Sequence, residues 1–206
     1  GDPEYADKPF RPSKEWTRQY FKGVTLKQLV DYGLKNKDYF TEKDIDRADL
    51  KFYEPPSDEE LEKAGIPGLY FYSYYHKWIP QENYYYCVEH TGFKPNPERT
   101  EGTYSKYASL DDRMDGMHYY LRYIKFGLGR CIDDAAHEIR DGHLTREEGA
   151  ALVKKYDGEF PKKYFKEFLE FLGITESHFW QVVDSWRPDY LWKKENGQWK
   201  LKYPIV

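Results

Sequence analysis

The sequence predicts a mainly α-helical protein with a few short strands that ends in a small β-hairpin. Three observations carry this expectation. Capped segments with apolar residues at steps of three and four recur along the chain. Only one interior stretch has strand character. Near the C-terminus Asn196-Gly197 interrupts an alternating run, which is the strongest short-range hairpin signal. A chain of 206 residues can bury a real core. The expected organisation is an irregular and helical lead-in over 1–65, a helical core with one strand and the candidate site over 66–189, and a hairpin tail over 190–206. The three are expected to form one compact unit, incomplete at its N-terminus.

Residues 1–12 carry three prolines and no period, so an extended segment is expected. Ser13 caps a helix reaching Phe21, and Thr25 with Gln28 forms a capping box for a helix over 26–32, ended by Gly33. Residues 35–53 are charged and aromatic, with a helical turn expected from Thr41. Ser57 and Glu60 box a helix that ends at Gly65. Residues 69–75 (LYFYSYY) form the best strand candidate, one that needs partner strands this sequence does not supply. Pro80 opens a helix over 81–91 that Gly92 terminates, and 93–107 is a polar loop.

Ser109 is expected to cap the next helix, whose apolar stripe is Leu110, Met114, Met117, Leu121 and Ile124, closed by Gly127. Asp111, Asp115, His118, Arg122 and Lys125 share the neighbouring face. A following helix buries Ile132, Ala135, Ala136 and Ile139 and shows Asp134, Glu138 and Asp141 elsewhere, with Arg140 beside them. Thr145 and Glu148 box a helix to Tyr156, Pro161 opens one built on Tyr164, Phe165, Phe168, Leu169 and Leu172, and Thr175 caps one through Trp186. The tail should bring Trp192 near Trp199.

With 36 acidic against 32 basic residues and no basic run, nucleic acid is not a favoured partner. No apolar run approaches the roughly 20 residues a bilayer requires, and no signal peptide is evident, so a cytoplasmic location is expected. Cys87 and Cys131 are isolated, implying neither a disulfide framework nor a zinc knuckle. His118, His137 and His143 lack the i, i+4 spacing of a helical metal site, and the segment from Asp141 to Thr145 lacks the alternating oxygens of a calcium loop, so no metal is expected. The 21 tyrosines can line a sugar pocket or an interface, but a half-polar core is the stronger reading for most of them.

Chemistry concentrates between Glu101 and Gly142. In Lys125-Phe126-Gly127-Leu128-Gly129-Arg130 the glycines allow amides to converge at a helix N-terminus between two cations, an arrangement suited to phosphate, pyrophosphate or a sugar-nucleotide diphosphate. The alternative is wholly structural: acids in a first turn and bases in a last turn complement the helix dipole, and glycine ends helices. Glu101, Asp111, Asp112 and Asp115 cluster as in glycoside hydrolases, although sequence does not give the separation on which that chemistry depends.

The run PERTEGTYSKYASLDDRMDGMHYYLRYIKFGLGRCIDDAAHEIRDGHLTREEGAALVKKYDGEFPKKYFKEFLEFL, preceded by YYHKWIPQENYYYCVEHTGF, resembles the C-terminal half of bacterial N-acetyl sugar amidotransferases. The likeness covers roughly 66–186. It implies the C-terminal helical part of an α/β PP-loop enzyme of the adenine nucleotide alpha hydrolase type. Such enzymes convert a sugar acetamido group to acetamidino in lipopolysaccharide, O-antigen or flagellin glycan synthesis. The resemblance implies ATP and magnesium for the full-length enzyme, none being expected on this chain alone. It implies a nucleotide-activated N-acetyl sugar as substrate, and glutaminase and synthase partners resembling the histidine-biosynthesis pair. Asp111, Asp112 and Asp115 would be catalytic. Glu101, Thr103, Tyr104, Ser105, Lys125, Gly127, Gly129 and Arg130 would bind substrate or phosphate, supported by Asp134, Glu138 and Arg140. The Ser-Gly-Gly-x-Asp-Ser phosphate loop of the family does not occur in these 206 residues, so the chain alone is expected to be inactive. The other class of function is a non-catalytic, Tyr-rich helical module that binds a glycan or a protein.

Overall fold

The computed structural model describes residues 26–35, 48, 56–65 and 72–205. The chain divides into two units, Gly1–Trp78 and Ile79–Val206.

In the first unit α1 is Leu26–Lys35. It runs through Gly33, which the sequence reading takes as its end. A single glycine costs a helix only about 1 kcal/mol. Ser57 and Glu60 form the expected capping box on α2, Asp58–Lys63: the Ser57 amide donates to the Glu60 carboxylate at 2.8 Å and the Glu60 amide to Ser57 Oγ at 3.2 Å. The strand expected over 69–75 is corrected. Tyr72–Tyr74 is a 3-10 turn, with the amides of Tyr75 and His76 both donating to the Tyr72 carbonyl and the rings of Tyr72 and His76 stacked at 5.1 Å. Periodicity cannot separate a short apolar run in a strand from one in a helical turn. Residues 69–71, the helix expected from Ser13 and the turn from Thr41 lie outside the described residues.

The second unit holds α3 (Pro80–His90), α4 (Asp115–Phe126), α5 (Arg130–Asp141), α6 (Arg146–Tyr156), α7 (Phe165–Leu172), α8 (Glu176–Ser185) and the antiparallel pair β1 (Trp192–Glu195) and β2 (Gln198–Leu201). Pro80 opens α3 as expected, and the box between Thr145 and Glu148 opens α6. Thr175 caps α8 by accepting the His178 amide at 3.2 Å. Asn196 and Gly197 take φ of 51° and 78°, the left-handed pair that a two-residue turn matching strand twist requires. Trp192 pairs with Leu201 and Lys194 with Trp199, placing both indoles on one face, where the Arg187 guanidinium lies 4.4 Å from one ring centroid and 5.5 Å from the other.

Two helix starts differ from expectation. Ser109 does not cap α4: it sits at φ 54°, Asp112 Oδ1 accepts the Met114 amide at 2.7 Å, and the helix begins only at Asp115. A carboxylate bonded to the backbone two residues on stabilises a turn in place of helix, so Leu110 leaves the buried stripe; of the expected residues Met117 and Ile124 are buried and Met114 and Leu121 half-buried, and Tyr120, outside the expected stripe, joins the core. Likewise α7 begins after Tyr164, not at Pro161; the amides of Lys162 and Lys163 ahead of it donate to the Glu101 carboxylate at 3.0 and 3.1 Å.

One core cluster joins Met117, Tyr120 and Ile124 of α4 to Phe179 and Val183 of α8 and Trp192 of β1, edged by Phe160, Phe165 and Trp180. The other joins Cys131 and Ala135 of α5 to Val153 of α6. On α5 it is thus Cys131 that is fully buried, while Ile132, Ala136 and Ile139 are half-buried. Burial pushes the Cys131 thiol up to about 12, which makes it inert.

Candidate functional site

The loop that leads into α4 is held by one ion pair. Arg99 meets Glu159 bidentately at 2.7 Å on both arms and also donates to the carbonyls of Thr100 and Thr103 at 3.2 and 3.1 Å. Glu159 accepts the Gly102 amide at 2.8 Å as well. The guanidinium holds the Glu159 carboxyl below the usual range even though burial opposes it. This clamp turns the loop so that Glu101 reaches the start of α7 and Thr103 is wholly buried.

Thr103 continues inward. Its hydroxyl donates to Asp134 at 2.5 Å, Arg130 Nε donates to the same carboxylate at 3.0 Å, and Arg130 lies 3.9 Å from Asp115, whose other partner is the Ser109 hydroxyl. The Arg130 guanidinium also rests 4.8 Å from the Tyr119 ring centroid. Ser109, Asp115, Arg130, Asp134 and Thr103 therefore form one polar chain joining the loop, α4 and α5.

The N-terminus of α5 meets an anion, and it belongs to this chain. Asp157 accepts the amides of Gly129 at 2.8 Å and Ile132 at 3.3 Å. Gly127 ends α4 at φ 74°, and a Cβ on Gly129 would stand 2.5 Å from Asp157 Oδ1, so both glycines of the Gly-x-Gly have a conformational or steric cause. Lys125 is exposed and lies over the rings of Phe126 and Trp186 at 5.5 and 5.9 Å. Arg140 is exposed, 3.0 Å from His137 Nδ1.

Two hollows flank the polar chain. A cleft of about 460 Å³ has Glu98, Arg99, Glu101, Asp111, Asp112, Arg113, Lys163 and Tyr164 in its lining, with the apolar Pro161 and Met117. It gathers Glu101, Asp111 and Asp112 of the expected residues. Most of its charges are engaged: Arg99 with Glu159, Arg113 with Glu167 at 2.8 Å, Glu101 with two amides, Asp112 with the Met114 amide. Asp111 has no hydrogen-bond or ion-pair partner among the described residues, and Lys163 lies 5.3 Å over the Tyr164 ring. Sequence reasoning missed Arg113, which sits among the acids but was not singled out, and Lys163 and Tyr164, which lie some 50 residues beyond them in the sequence. A smaller recess of about 350 Å³ takes Tyr104, Ser105 and Glu138, with Gln81, Tyr84, Lys106, Tyr107, Leu144 and Leu152. Burial raises the Glu138 carboxyl and carries the Tyr104 hydroxyl far above the usual phenol value. The Tyr104 hydroxyl lies near Glu138 without completing a well-formed hydrogen bond.

The model of the family described as LPS biosynthesis protein WbpG-like, C-terminal domain, matches residues 101–204, just over half of the chain. The chain belongs to this family. The match opens at Glu101 and takes in the polar chain, most of the lining of both hollows and the hairpin. Its C-terminal part is therefore that of a lipopolysaccharide biosynthesis protein. No curated protein matches the sequence. Among the described residues no helix is long and apolar enough to cross a membrane.

Proposed function

We propose that the chain is the C-terminal portion of an N-acetyl sugar amidotransferase, which converts a sugar acetamido group to acetamidino with ATP and glutamine-derived ammonia in bacterial surface polysaccharide or flagellin glycan synthesis. Membership of the WbpG-like family supports the pathway. The observation that carries the site is the cleft, whose lining includes the free Asp111 carboxylate, the Tyr164 ring and Lys163. Carboxylate oxygens accept sugar hydroxyls, an aromatic face covers a pyranose, and an ammonium offsets negative charge carried by the substrate.

The residues here do not fit a nucleotide and magnesium seat. The α5 amides serve Asp157, Asp112 and Asp115 have partners within the chain, and no cluster of three acidic, histidine or cysteine side chains able to hold a metal forms among the described residues. The part proposed for this chain is to hold the sugar. ATP, magnesium and the glutaminase and synthase partners belong to the proposed whole enzyme, and a nucleotide-activated sugar places it in the cytoplasm. The exposed rings of Tyr85 and Tyr86 favour a second reading, a glycan- or protein-binding module without catalysis.

Titration with UDP-N-acetylglucosamine tests the cleft. Asp111→Asn and Lys163→Gln should each weaken binding roughly tenfold, as loss of a charge-assisted hydrogen bond does, with melting temperature unchanged. Equal affinity in both variants would remove the cleft from the reading. The chain alone should release no pyrophosphate from ATP; sustained release would overturn the division of labour.

A further inference from the structure

We propose that the recess between Tyr84, Tyr104, Ser105 and Glu138 is a second binding site, separate from the cleft, that takes a single neutral hydroxylated ring of monosaccharide size. Its volume of about 350 Å³ lies at the low end of small-molecule sites, which run from about 300 to 1,000 Å³, so it suits one ring and not a nucleotide sugar. Ser105 is only 9% exposed, yet its Oγ has no hydrogen-bond partner, while the buried Tyr104 hydroxyl beside it has only the incomplete contact with Glu138. Buried hydroxyls are ordinarily paired, and an unpartnered serine lining a hollow marks where a polar partner is missing.

The rest of the lining selects the ligand. Tyr84 stacks on Tyr107 at 4.5 Å and meets Phe93 edge-on at 6.2 Å, while the Tyr107 hydroxyl donates to Gln81 Oε1 at 2.8 Å, so the aromatic wall is braced before any ligand arrives. Glu138 offers a carboxyl that both accepts and, when protonated, donates. The one cation in the lining, Lys106, donates to the Pro97 carbonyl at 3.1 Å. An acidic group without a free cation disfavours phosphate, whereas hydroxyls, a carboxyl and a ring face match a sugar. This site does not depend on the reaction proposed for the cleft.

The test uses the isotope-labelled 206-residue chain, with glucose and pyrophosphate as probes in an NMR titration. Glucose should give saturable shifts at the amides of Tyr84, Ser105 and Leu144. Ser105→Ala and Glu138→Gln should weaken it by roughly two- to tenfold, the range expected for one neutral hydrogen bond. Ser105→Ala should also melt at the same temperature or higher, since it deletes an unpartnered hydroxyl; a merely structural serine would lower it. Absence of saturable shifts, unchanged affinity in both variants, or pyrophosphate acting on the same amides would each overturn the assignment. UDP-N-acetylglucosamine binding at the cleft is read on different residues, so the two sites can fail separately.

Discussion

Asp157 is the residue on which the strongest functional signal in the sequence turns. Two glycines and flanking cations ahead of a helix describe an anion seat, and they do form one, but the anion lies 28 residues on in the same chain. Nothing at Asp157 announces this, because its role rests on a tertiary contact. Burial raises its carboxyl above the ordinary aspartate value, with the amides of Gly129 and Ile132 pulling the other way. A raised folded-state value means that the stability linked to this proton is fully present below the unfolded value and is lost as pH rises through the folded one. Asp157→Asn keeps an acceptor and loses the titration. The stability of wild type relative to Asp157→Asn should therefore be greatest at low pH and decline toward neutrality, as paired thermal melts from pH 3 to 7 would show. Asp157→Ala should cost about 1–2 kcal/mol at low pH, as lost caps do, and less toward neutrality, because alanine no more titrates than asparagine. A wild-type advantage that grew with pH would reverse this account. Arg130 follows the same lesson: it pairs with Asp134 one turn along α5, and its half-buried guanidinium also faces Asp115 and Tyr119.

Among elements, the turn between α6 and α7 gives a sharp prediction. Gly158 has φ 77°, and a Cβ there would fall 2.2 Å from Tyr123 Cε1, an aromatic atom held in the core by Trp192. Gly158→Ala should lose about 2–4 kcal/mol, combining a left-handed alanine with overpacking, read as a fall in urea midpoint. Gly149→Ala should cost less, because the obstructing atom, Ile139 Cδ1, ends a flexible side chain. Elements with local signals were legible: the boxes at Ser57 and Thr145, the cap at Thr175, Pro80 and the Asn196-Gly197 turn all depend on residues within a few positions. Those decided at a distance were not. Ahead of α7 the amides of Lys162 and Lys163 go to Glu101, some 60 residues earlier. α4 starts late because the Asp112 turn and the bond between Ser109 and Asp115 compete with helix. The candidate site divides for the same reason: Glu101, Asp111 and Asp112 adjoin Tyr104 and Ser105 in sequence, but the loop turned by Arg99 and Glu159 sends them to different hollows.

At the scale of the whole molecule, the hairpin is the keystone of the second unit. The last carbonyls of a helix have no partner within it. In α4 the Ile124 carbonyl accepts the Trp192 indole N–H at 2.7 Å, while Leu191 and Leu201 cover Gly127 at the helix end. Among the described residues, both core clusters draw on residues after Ile79. A chain of residues 79–206 should therefore fold alone, with a cooperative melt and the near-ultraviolet dichroism of packed tryptophans. Ending it at 190 should abolish that signal, because Trp192 leaves a core it shares with Met117, Tyr120, Ile124, Phe179 and Val183. Trp192→Ala should cost about 3–5 kcal/mol. Trp192→Phe keeps the ring but strands the Ile124 carbonyl, and should cost about 1–3 kcal/mol. The ordering of the three is diagnostic: if residues 79–190 retain a cooperative transition, the hairpin is an appendage, and the cleft and recess owe their shape to the helices alone.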